Sequence, residues 1–255
     1  MSVELYFFQP LGTNSGRVYL ALLEKGVGFT RRELNGREFD HLQPEYLAIN
    51  PKGQVPTLVR DGRPFPEGMI ANEYIDEAFE GPPLRPESPL ERWRMRTMCR
   101  WAENDLGRAL MMIMWNRVVP GFAHGEGRSE EEIEAILAKV PDPARRRSWR
   151  AAWKQEISAE TLEESHRRAR EGAQRIDKHL SLHEWVAGNG FSLADIDLLC
   201  FCGFMFRFMP ELANERDTPY WWAWNSRMEA RPAVQQLRAE SVFAAPPPEQ
   251  RDSDA

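Results

Sequence analysis

The sequence has few cysteines, no long apolar run and no excess of positive charge, and each shortage excludes a class of protein. Its 255 residues include only three cysteines, Cys99, Cys200 and Cys202. This odd number, with a Cys-x-Cys pair in an apolar segment, is typical of reduced, buried thiols and predicts a cytoplasmic protein. No apolar run reaches the roughly 18 residues of a membrane helix, and the first residues, "MSVELYFF", do not form a signal peptide. The net charge of −6 argues against a nucleic-acid partner, because phosphate binding depends on Lys and Arg.

Strand-like and helix-like patterns alternate in residues 1–80. The runs "VELYFF" and "FTRREL" are typical of strands, and "VPTLVRDGRPFPEG" is typical of a hairpin with an Asp-Gly turn. Three further runs, "GRVYLALLEKG", "PEYLAIN" and "MIANEYIDEAFE", have helical spacing. The sequence therefore predicts the order β-α-β-α-β-β-α for an α/β domain over residues 1–80.

A proline-rich stretch separates this domain from a second one. The segment beginning "GPPLRPESP" has four prolines in nine residues, which is typical of a linker, here residues 81–90. Residues 91–243 have helical patterns almost throughout, and residues 90–118 predict one helix of about 28 residues. The polar, proline-rich residues 244–255 predict a disordered tail.

Two short motifs are candidates for a specific role. In "INPKGQVPTL" the Val55-Pro56 step leads directly into a strand, either as a ligand-pairing backbone turn or as an ordinary turn before the strand. In "SLAD", Ser192 and Asp195 have the spacing of a capping box at the start of a buried helix. We expect the second motif to be structural.

In this order and at this spacing the two motifs resemble those of the cytosolic glutathione transferases, over about residues 3–238. The resemblance implies a thioredoxin-like domain that binds glutathione, an all-helical domain that supplies most of a hydrophobic substrate site, and a homodimer or a heterodimer with a homologue. It also implies that the Val55 backbone pairs with the cysteinyl part of glutathione, with Pro56 in cis, and that Glu67 and the backbone of residue 68 hold the γ-glutamyl end. Glutathione transferases usually have Ser or Thr after this acidic residue. Here Gly68 removes a hydroxyl donor, a loss for which Gln54 is a candidate to compensate.

The stretch "GTNSGRV" before the first predicted helix offers three polar side chains where one is enough as a cap. The thiolate of glutathione is the nucleophile, and a helix N-terminus with one added hydrogen-bond donor favours the thiolate over the thiol. Ser15 is the leading candidate for that donor, followed by Asn14 and then Tyr6. The alternative is that Thr13, Asn14 and Ser15 are only turn and cap residues. Because residues 1–98 contain no Cys, a thioredoxin-type Cys-x-x-Cys site is excluded, as are the cysteine-dependent branches of the family.

Methionine and tryptophan are frequent, with ten and nine copies. In "MMIMWNR" the side chains of Met111, Met112 and Trp115 suit an adaptable pocket for an aromatic substrate, or equally the core of a helical domain. His179 and His183 lie one helical turn apart, a spacing that can hold a metal. No acidic general base lies between them in a recognised motif and exposed helix histidines are common, so we expect no metal.

Within the family, the "TNS" turn, the "LRPESPLERWRMR" segment and a long insertion at about residues 118–158 resemble the bacterial glutathione-dependent β-etherases. That resemblance implies that the glutathione thiolate cleaves a β-aryl ether of lignin-derived dimers and releases a phenol. Two alternatives remain: a transferase, dehalogenase or isomerase for another electrophile, or a weakly active scaffold subunit of a heterodimer.

Overall fold

The computed structural model describes residues 1–9, 11, 14–124 and 127–241, with residues 118–124 described as backbone only. The predicted disordered tail lies outside the described residues. Within them, no helix is both long enough and apolar enough to cross a membrane.

The first half of the fold is a four-stranded mixed sheet with helices. Its elements are β1 (Val3–Phe7), α1 (Asn14–Lys25), β2 (Thr30–Glu33), α2 (Pro44–Leu47), β3 (Thr57–Arg60), β4 (Arg63–Phe65) and α3 (Gly68–Ala78). The strand order is β2-β1-β3-β4, with β1 parallel to β2 and antiparallel to β3. This confirms the predicted α/β fold and its order of elements.

Alternation along β1 determines which face of the sheet is buried. Val3, Leu5 and Phe7 are buried while the residues between them are half-buried, which is the period-two pattern of a strand with one face in the core. Leu5 lies opposite Leu58 of β3, and both pack in the main core with helices α1 and α3. The buried face of the sheet therefore packs against helices α1 and α3.

The second half of the fold is helical, as expected. Its elements are α4 (Pro89–Trp101), a π-helical segment (Ala102–Leu106), α5 (Gly107–His124), α6 (Glu130–Ala138), α7 (Pro143–Trp153), α8 (Ala159–Leu180), α9 (Leu193–Cys202), α10 (Met205–Phe208), α11 (Pro219–Glu229) and α12 (Pro232–Glu240). None of the described residues 79–88 is in a helix or strand. The exact limits of the two domains and of the linker stay predictions.

The prediction of one uninterrupted helix over residues 90–118 is wrong in one respect. The π-helical segment divides it between Trp101 and Gly107. At Gly107 a Cβ atom would lie 2.6 Å from the carbonyl oxygen of Ala102, so the tight backbone at the end of this segment requires glycine.

Helix α9 joins the two halves of the fold. All ten of its residues are buried, and it packs against α1 of the first half and α4 of the second. Ser192 and Asp195 form the predicted capping box at its start. The Asp195 carboxylate also accepts hydrogen bonds from the Val186 amide and the Trp224 indole, at 2.9 and 2.8 Å.

A second, smaller hydrophobic cluster attaches the inserted helices α6 and α7 to the sheet-containing half. It consists of the buried side chains of Phe39, Leu42, Ile133, Leu137, Val140 and Trp153. Phe39 and Leu42 come from the segment before α2, and the other four belong to the inserted residues. The insertion therefore covers the side of the first half on which α2 lies.

Candidate active site

The N-terminus of α1 presents the two leading candidates for the thiolate donor. Ser15 is only 2% exposed, and its Oγ accepts a hydrogen bond of 3.0 Å from the amide of Phe8, the residue after β1. The acceptor role leaves the hydroxyl hydrogen of Ser15 available for donation. Thr13 lies outside the described residues, and Tyr6 packs against Tyr46 at 5.6 Å between ring centroids.

Asn14 links α1 to the turn before β3. Its side-chain Nδ2 donates to the carbonyl oxygen of Val55 at 3.1 Å. The Val55-Pro56 peptide bond is cis, as the resemblance implies. The first helix and the Val-Pro turn therefore meet at one place, through Asn14.

Buried hydrogen bonds hold the segment that leads into this turn. The carbonyl oxygen of Gln54 accepts from Tyr46 Oη at 2.5 Å and from Asn50 Nδ2 at 2.9 Å. Asn50 also donates to Thr57 Oγ1 at 3.0 Å. Because these partners are on both sides of Val55, its backbone is held in a single arrangement.

Glu67 and Gly68 lie at the N-terminus of α3. Glu67 has a left-handed backbone with φ 68°, and its carboxylate contacts Lys52 Nζ at 2.5 Å. Both side chains are exposed by half or more, so this ion pair adds little to stability. The free backbone amides at the start of α3 make this end a suitable place for a ligand carboxylate.

The structure gives a steric reason for Gly68. A Cβ atom there would lie 2.8 Å from Cδ of Arg17 and 3.3 Å from its Nε. The Arg17 side chain thus occupies the space in which a serine or threonine side chain at position 68 would begin. Gly68 is required by the packing of Arg17, which sequence reasoning missed.

Arg17 is itself buried, with a relative exposure of 1%. Its Nε donates to Asp197 Oδ1 at 2.9 Å, Nη2 donates to Asp197 Oδ2, and Nη1 donates to Glu103 Oε2 at 3.0 Å. Burial alone lowers the pKa of Arg17, but the two carboxylates outweigh it and raise the pKa above its ordinary value. The sequence signal was present in α9, where Asp197 is a charge in an apolar run and needs a buried partner.

These residues line a polar cleft that is open to solvent. Its lining consists of Asn14, Arg17, Asn50, Gln54, Val55, Pro56, Glu67, Gly68 and Glu103. The cleft brings together every predicted glutathione-binding residue with Asn14. Ser15 lies one residue further along α1 and is not part of the lining that the structure describes.

The three predicted substrate-pocket residues lie on α5, outside that lining. Met111 is 40% exposed, Met112 and Trp115 are half-buried, and Ile113 between them belongs to the main core. Trp115 packs edge-on against Trp149 of α7, with 6.2 Å between ring centroids. Helix α5 therefore contributes to the core through Ile113 and contacts α7 through Trp115.

Comparison with known proteins identifies the family of this fold. Family models for the N-terminal and C-terminal domains of glutathione S-transferase match residues 13–78 and 113–232. Protein LigF of Sphingobium sp. is 31% identical over 94% of this chain and 95% of its own length. The chain belongs to the glutathione S-transferase family. Glutathione is therefore its co-substrate.

Two solved structures show how far this likeness extends. The crystal structure of beta-etherase LigF from Sphingobium sp. superposes on the transferase with a TM-score of 0.89, covering 94% of this chain and 100% of the other. Gtt2 from Saccharomyces cerevisiae is 27% identical and superposes with a TM-score of 0.68, covering 92% and 99%.

In the transferase a group of aromatic rings surrounds a buried histidine where α7 meets the segment before α2. His41 is 4% exposed and lies between the rings of Phe8 and Trp149, with centroid distances of 4.9 and 5.8 Å. Burial, with a smaller contribution from the nearby Arg145 cation, lowers the pKa of His41 to about 4. The imidazole is therefore neutral at pH 7.

Proposed function

We propose that this transferase is a glutathione-dependent β-etherase. The observation that carries the proposal is the full-length likeness to beta-etherase LigF, in sequence and in structure. In the proposed reaction the glutathione thiolate attacks the carbon β to an aryl ketone. A C–S bond forms, the C–O bond breaks, and its electron pair leaves on the phenolate oxygen. The products are a phenol, once the phenolate takes up a proton, and a glutathione thioether.

In the proposed binding mode, glutathione occupies the polar cleft. Its cysteinyl backbone pairs with Val55, and its γ-glutamyl end reaches Glu67 and the amides at the start of α3. Gln54 and Glu103 line the same cleft and supply further polar contacts. The aromatic substrate then approaches from the side of Met111, Met112 and Trp115. Supporting this, Trp115 and Trp149 already form one aromatic surface.

Of the two candidates at the start of α1, we propose Ser15 as the donor to the thiolate. Its Oγ accepts the Phe8 amide, which orients the hydroxyl, whereas one amide hydrogen of Asn14 is already donated to Val55. Lowering the pKa of a thiol by two units requires about 2.7 kcal/mol. One hydrogen bond from a hydroxyl to the thiolate and the dipole at the N-terminus of α1 can together supply this free energy.

Thiolate absorbance in the ultraviolet measures this directly. Ser15→Ala is expected to raise the pKa of bound glutathione by about one to two units, with Ser226→Ala on α11 as a control that leaves it unchanged. If Asn14→Ala raises the pKa and Ser15→Ala does not, the roles of the two residues are reversed.

The proposed enzyme is a dimer that associates through the α3–α4 face. Ile70, Leu90 and Trp93 on these helices are 56%, 56% and 62% exposed. An ion pair between Glu73 of α3 and Arg96 of α4 joins the two helices. Ile70 lies three residues before Glu73, and Trp93 lies three residues before Arg96. Residues at this spacing lie on the same side of a helix, so Ile70 and Trp93 lie on the side where α3 and α4 meet. Exposed apolar residues on adjacent helices favour a subunit contact. Trp93→Glu is expected to shift the mass measured by light scattering from dimer to monomer.

We also propose a cellular location and a form of assembly. The three cysteines are buried and unpaired, which is compatible with the cytoplasmic location expected from the sequence. A homodimer is the simpler assembly, because the α3–α4 face is available on every copy of the chain. A heterodimer with a homologue would appear in the mass measurement as failure of the isolated chain to dimerise.

The activity is tested with each enantiomer of a β-aryl ether ketone and glutathione. Release of the phenol from one enantiomer, with formation of the glutathione thioether, is the expected result. If neither enantiomer is cleaved although glutathione binds by calorimetry, the enzyme acts on another electrophile. If glutathione does not bind, the scaffold-subunit alternative is favoured.

A further inference from the structure

The end of α12 holds the chain between β1 and α1 at two points. The amide of Leu11 donates to Ser241 Oγ at 3.1 Å, and Gln9 Nε2 donates to the carbonyl oxygen of Glu240 at 3.2 Å. Leu11 is fully buried and Ser241 is 8% exposed. The partners are 230 and 231 positions apart, so the last helix of the second half contacts the first half next to the proposed donor to the thiolate.

The backbone of Leu11 lies against the start of α1. A Cβ atom on Gly16 would lie 1.7 Å from the carbonyl oxygen of Leu11, an approach that only glycine at position 16 permits. The amide of Leu11 is therefore held by Ser241, while its carbonyl group contacts Gly16, the residue after Ser15. A displacement of Leu11 is transmitted to the first turn of α1, because close-packed groups leave no space to absorb it.

Helix α12 is firmly attached on both sides of this contact. The Ser241 amide donates to the carbonyl oxygen of Arg238 at 3.2 Å, and Arg238 Nη2 donates to Glu229 Oε1 of α11 at 2.7 Å. At the other end of α12, Arg231 makes two hydrogen bonds of 2.7 Å with the carboxylate of Glu24 on α1. Charged hydrogen bonds at both ends fix the position of α12 relative to α1.

The carboxylate of Glu240 adds a contact to the side of α1. Its Oε2 accepts a hydrogen bond from Tyr19 Oη and another of 3.0 Å from Arg31 Nη1. These contacts do not involve the hydroxyl of Ser241. Removal of that hydroxyl therefore frees the Leu11 amide and leaves the rest of the joint between α12 and the first half in place.

We propose that Ser241 is a positioning residue for the donor to the glutathione thiolate and acts through the backbone of Leu11. The inference rests on the proposed function, in which Ser15, or Asn14 in its place, stabilises the thiolate at the start of α1. Neither Ser241 nor Leu11 is part of the cleft lining that the structure describes. The strength of a hydrogen bond depends on its length and direction, so a shift of the first turn weakens the bond to sulfur without removing the donor.

The first measurement is the thiol pKa of bound glutathione, from thiolate absorbance in the ultraviolet. Ser241→Ala is expected to raise this pKa by about half a unit to one unit, less than loss of the donor itself, because the donor is displaced and not removed. Ser226→Ala on α11 is the matched control and is expected to keep the wild-type value. The Ser226 hydroxyl donates within its own helix, to the carbonyl oxygen of Trp222 at 3.1 Å.

The pH profile of turnover separates positioning from a general structural role. The thiolate is the nucleophile, so at a pH below the thiol pKa the kcat of Ser241→Ala should fall by about three- to tenfold, the change in thiolate fraction that this shift produces. At a pH above the thiol pKa, kcat should reach the wild-type value. A purely structural defect would lower kcat by the same factor at every pH.

A double-mutant cycle shows whether Ser241 acts through the donor. In a chain that already lacks the donor, as in Ser15→Ala, the further change Ser241→Ala is expected to leave the thiol pKa unchanged. If the single variants assign the donor role to Asn14, the cycle is made with Asn14→Ala.

The inference and the proposed function fail in different ways. If Ser241→Ala leaves the thiol pKa of bound glutathione at the wild-type value, or raises it equally with and without the donor, Ser241 does not position the donor, and the proposed function stands. If calorimetry shows that the wild-type chain does not bind glutathione, the proposed function fails and this inference fails with it.

Discussion

Removing the imidazole of His41 should change how the stability of the protein depends on pH. His41 is buried against Phe8 and Trp149 with an unpartnered Nδ1. Replacement by Phe keeps a ring in the aromatic group and removes the titrating nitrogen. Replacement by Leu removes the same nitrogen with a different shape, so the two variants share only the loss of titration.

The sign and size follow from the pKa of His41, which is lowered from 6.5 to about 4 in the folded protein. Between these values the unfolded chain binds a proton that the folded chain does not. The contribution of His41 to stability is therefore complete above pH 6.5 and is lost as the pH falls towards 4. A shift of about 2.5 units corresponds to about 3 kcal/mol.

The assay is urea denaturation followed by tryptophan fluorescence, at pH values from 4 to 7.5, without glutathione. The free energy of unfolding of the wild-type chain should fall relative to both variants by about 3 kcal/mol over this range. The difference between the wild-type chain and each variant cancels the titration of all other groups. A difference that stays constant with pH, in either variant, would show that His41 titrates alike in the folded and unfolded states and would refute the reasoning.

Two further substitutions test the packing at the joint between the halves of the fold. Gly68→Ala places a Cβ 2.8 Å from Cδ of Arg17, and we expect this overpacking to lower the free energy of unfolding by about 1–3 kcal/mol. The measurement is the midpoint of thermal unfolding, which should fall. An unchanged midpoint would contradict the steric explanation. In Asp195→Asn an amide nitrogen replaces one of two oxygens that both accept N–H bonds, from Val186 and Trp224 at Oδ1 and from Ser192 at Oδ2, and we expect a loss of about 2–4 kcal/mol at pH 7 by urea denaturation. Unchanged stability would show that the carboxylate is dispensable.

Burial raises the pKa of Asp195 itself to about 6, against the opposing hydrogen bonds from Val186, Trp224 and Ser192. Between the unfolded value of about 4 and the folded value, the folded chain holds a proton that the unfolded chain releases. The effect of Asp195 on stability therefore decreases as the pH rises from about 4 to 6 and is constant above that range. Between about pH 4 and 6, Asp195 therefore lowers the stability as the pH rises, whereas His41 raises it. For this reason the effect of His41 is measured as the difference in unfolding free energy between the wild-type chain and each His41 variant.

Features encoded by neighbouring residues could be predicted from the sequence. The order of strands and helices follows from local periodicity, and the turn at Asp61-Gly62 joins β3 to β4 where the Asp-Gly step predicts it. The capping box of Ser192 and Asp195 is likewise local, since its partners are three residues apart. The cis bond at Val55-Pro56 came from resemblance to the family, and the structure contains it.

Features that join distant residues could not be predicted. Arg17 meets Asp197 across 180 positions and Glu103 across 86, and no local pattern encodes such a pairing. The π-helical segment was missed because its residues have good helical spacing, and spacing does not show the close approach of Gly107 to the carbonyl oxygen of Ala102. For Met111, Met112 and Trp115, spacing alone left core and pocket equally favoured. In the structure Met111 is exposed and the other two are half-buried, and their role in a substrate pocket stays a prediction.

Gly68 shows how a residue that departs from a family pattern can be misinterpreted without its neighbours. From the sequence, the missing hydroxyl predicts weaker binding of the γ-glutamyl end. In the structure the same position adjoins the buried side chain of Arg17, whose Cδ leaves no room for a Cβ. The Arg17 guanidinium is already paired with Asp197 and Glu103, so it adds no net positive charge to the cleft. The free amides at the start of α3 remain the donors for a ligand carboxylate, and Gly68 is explained by the packing of Arg17.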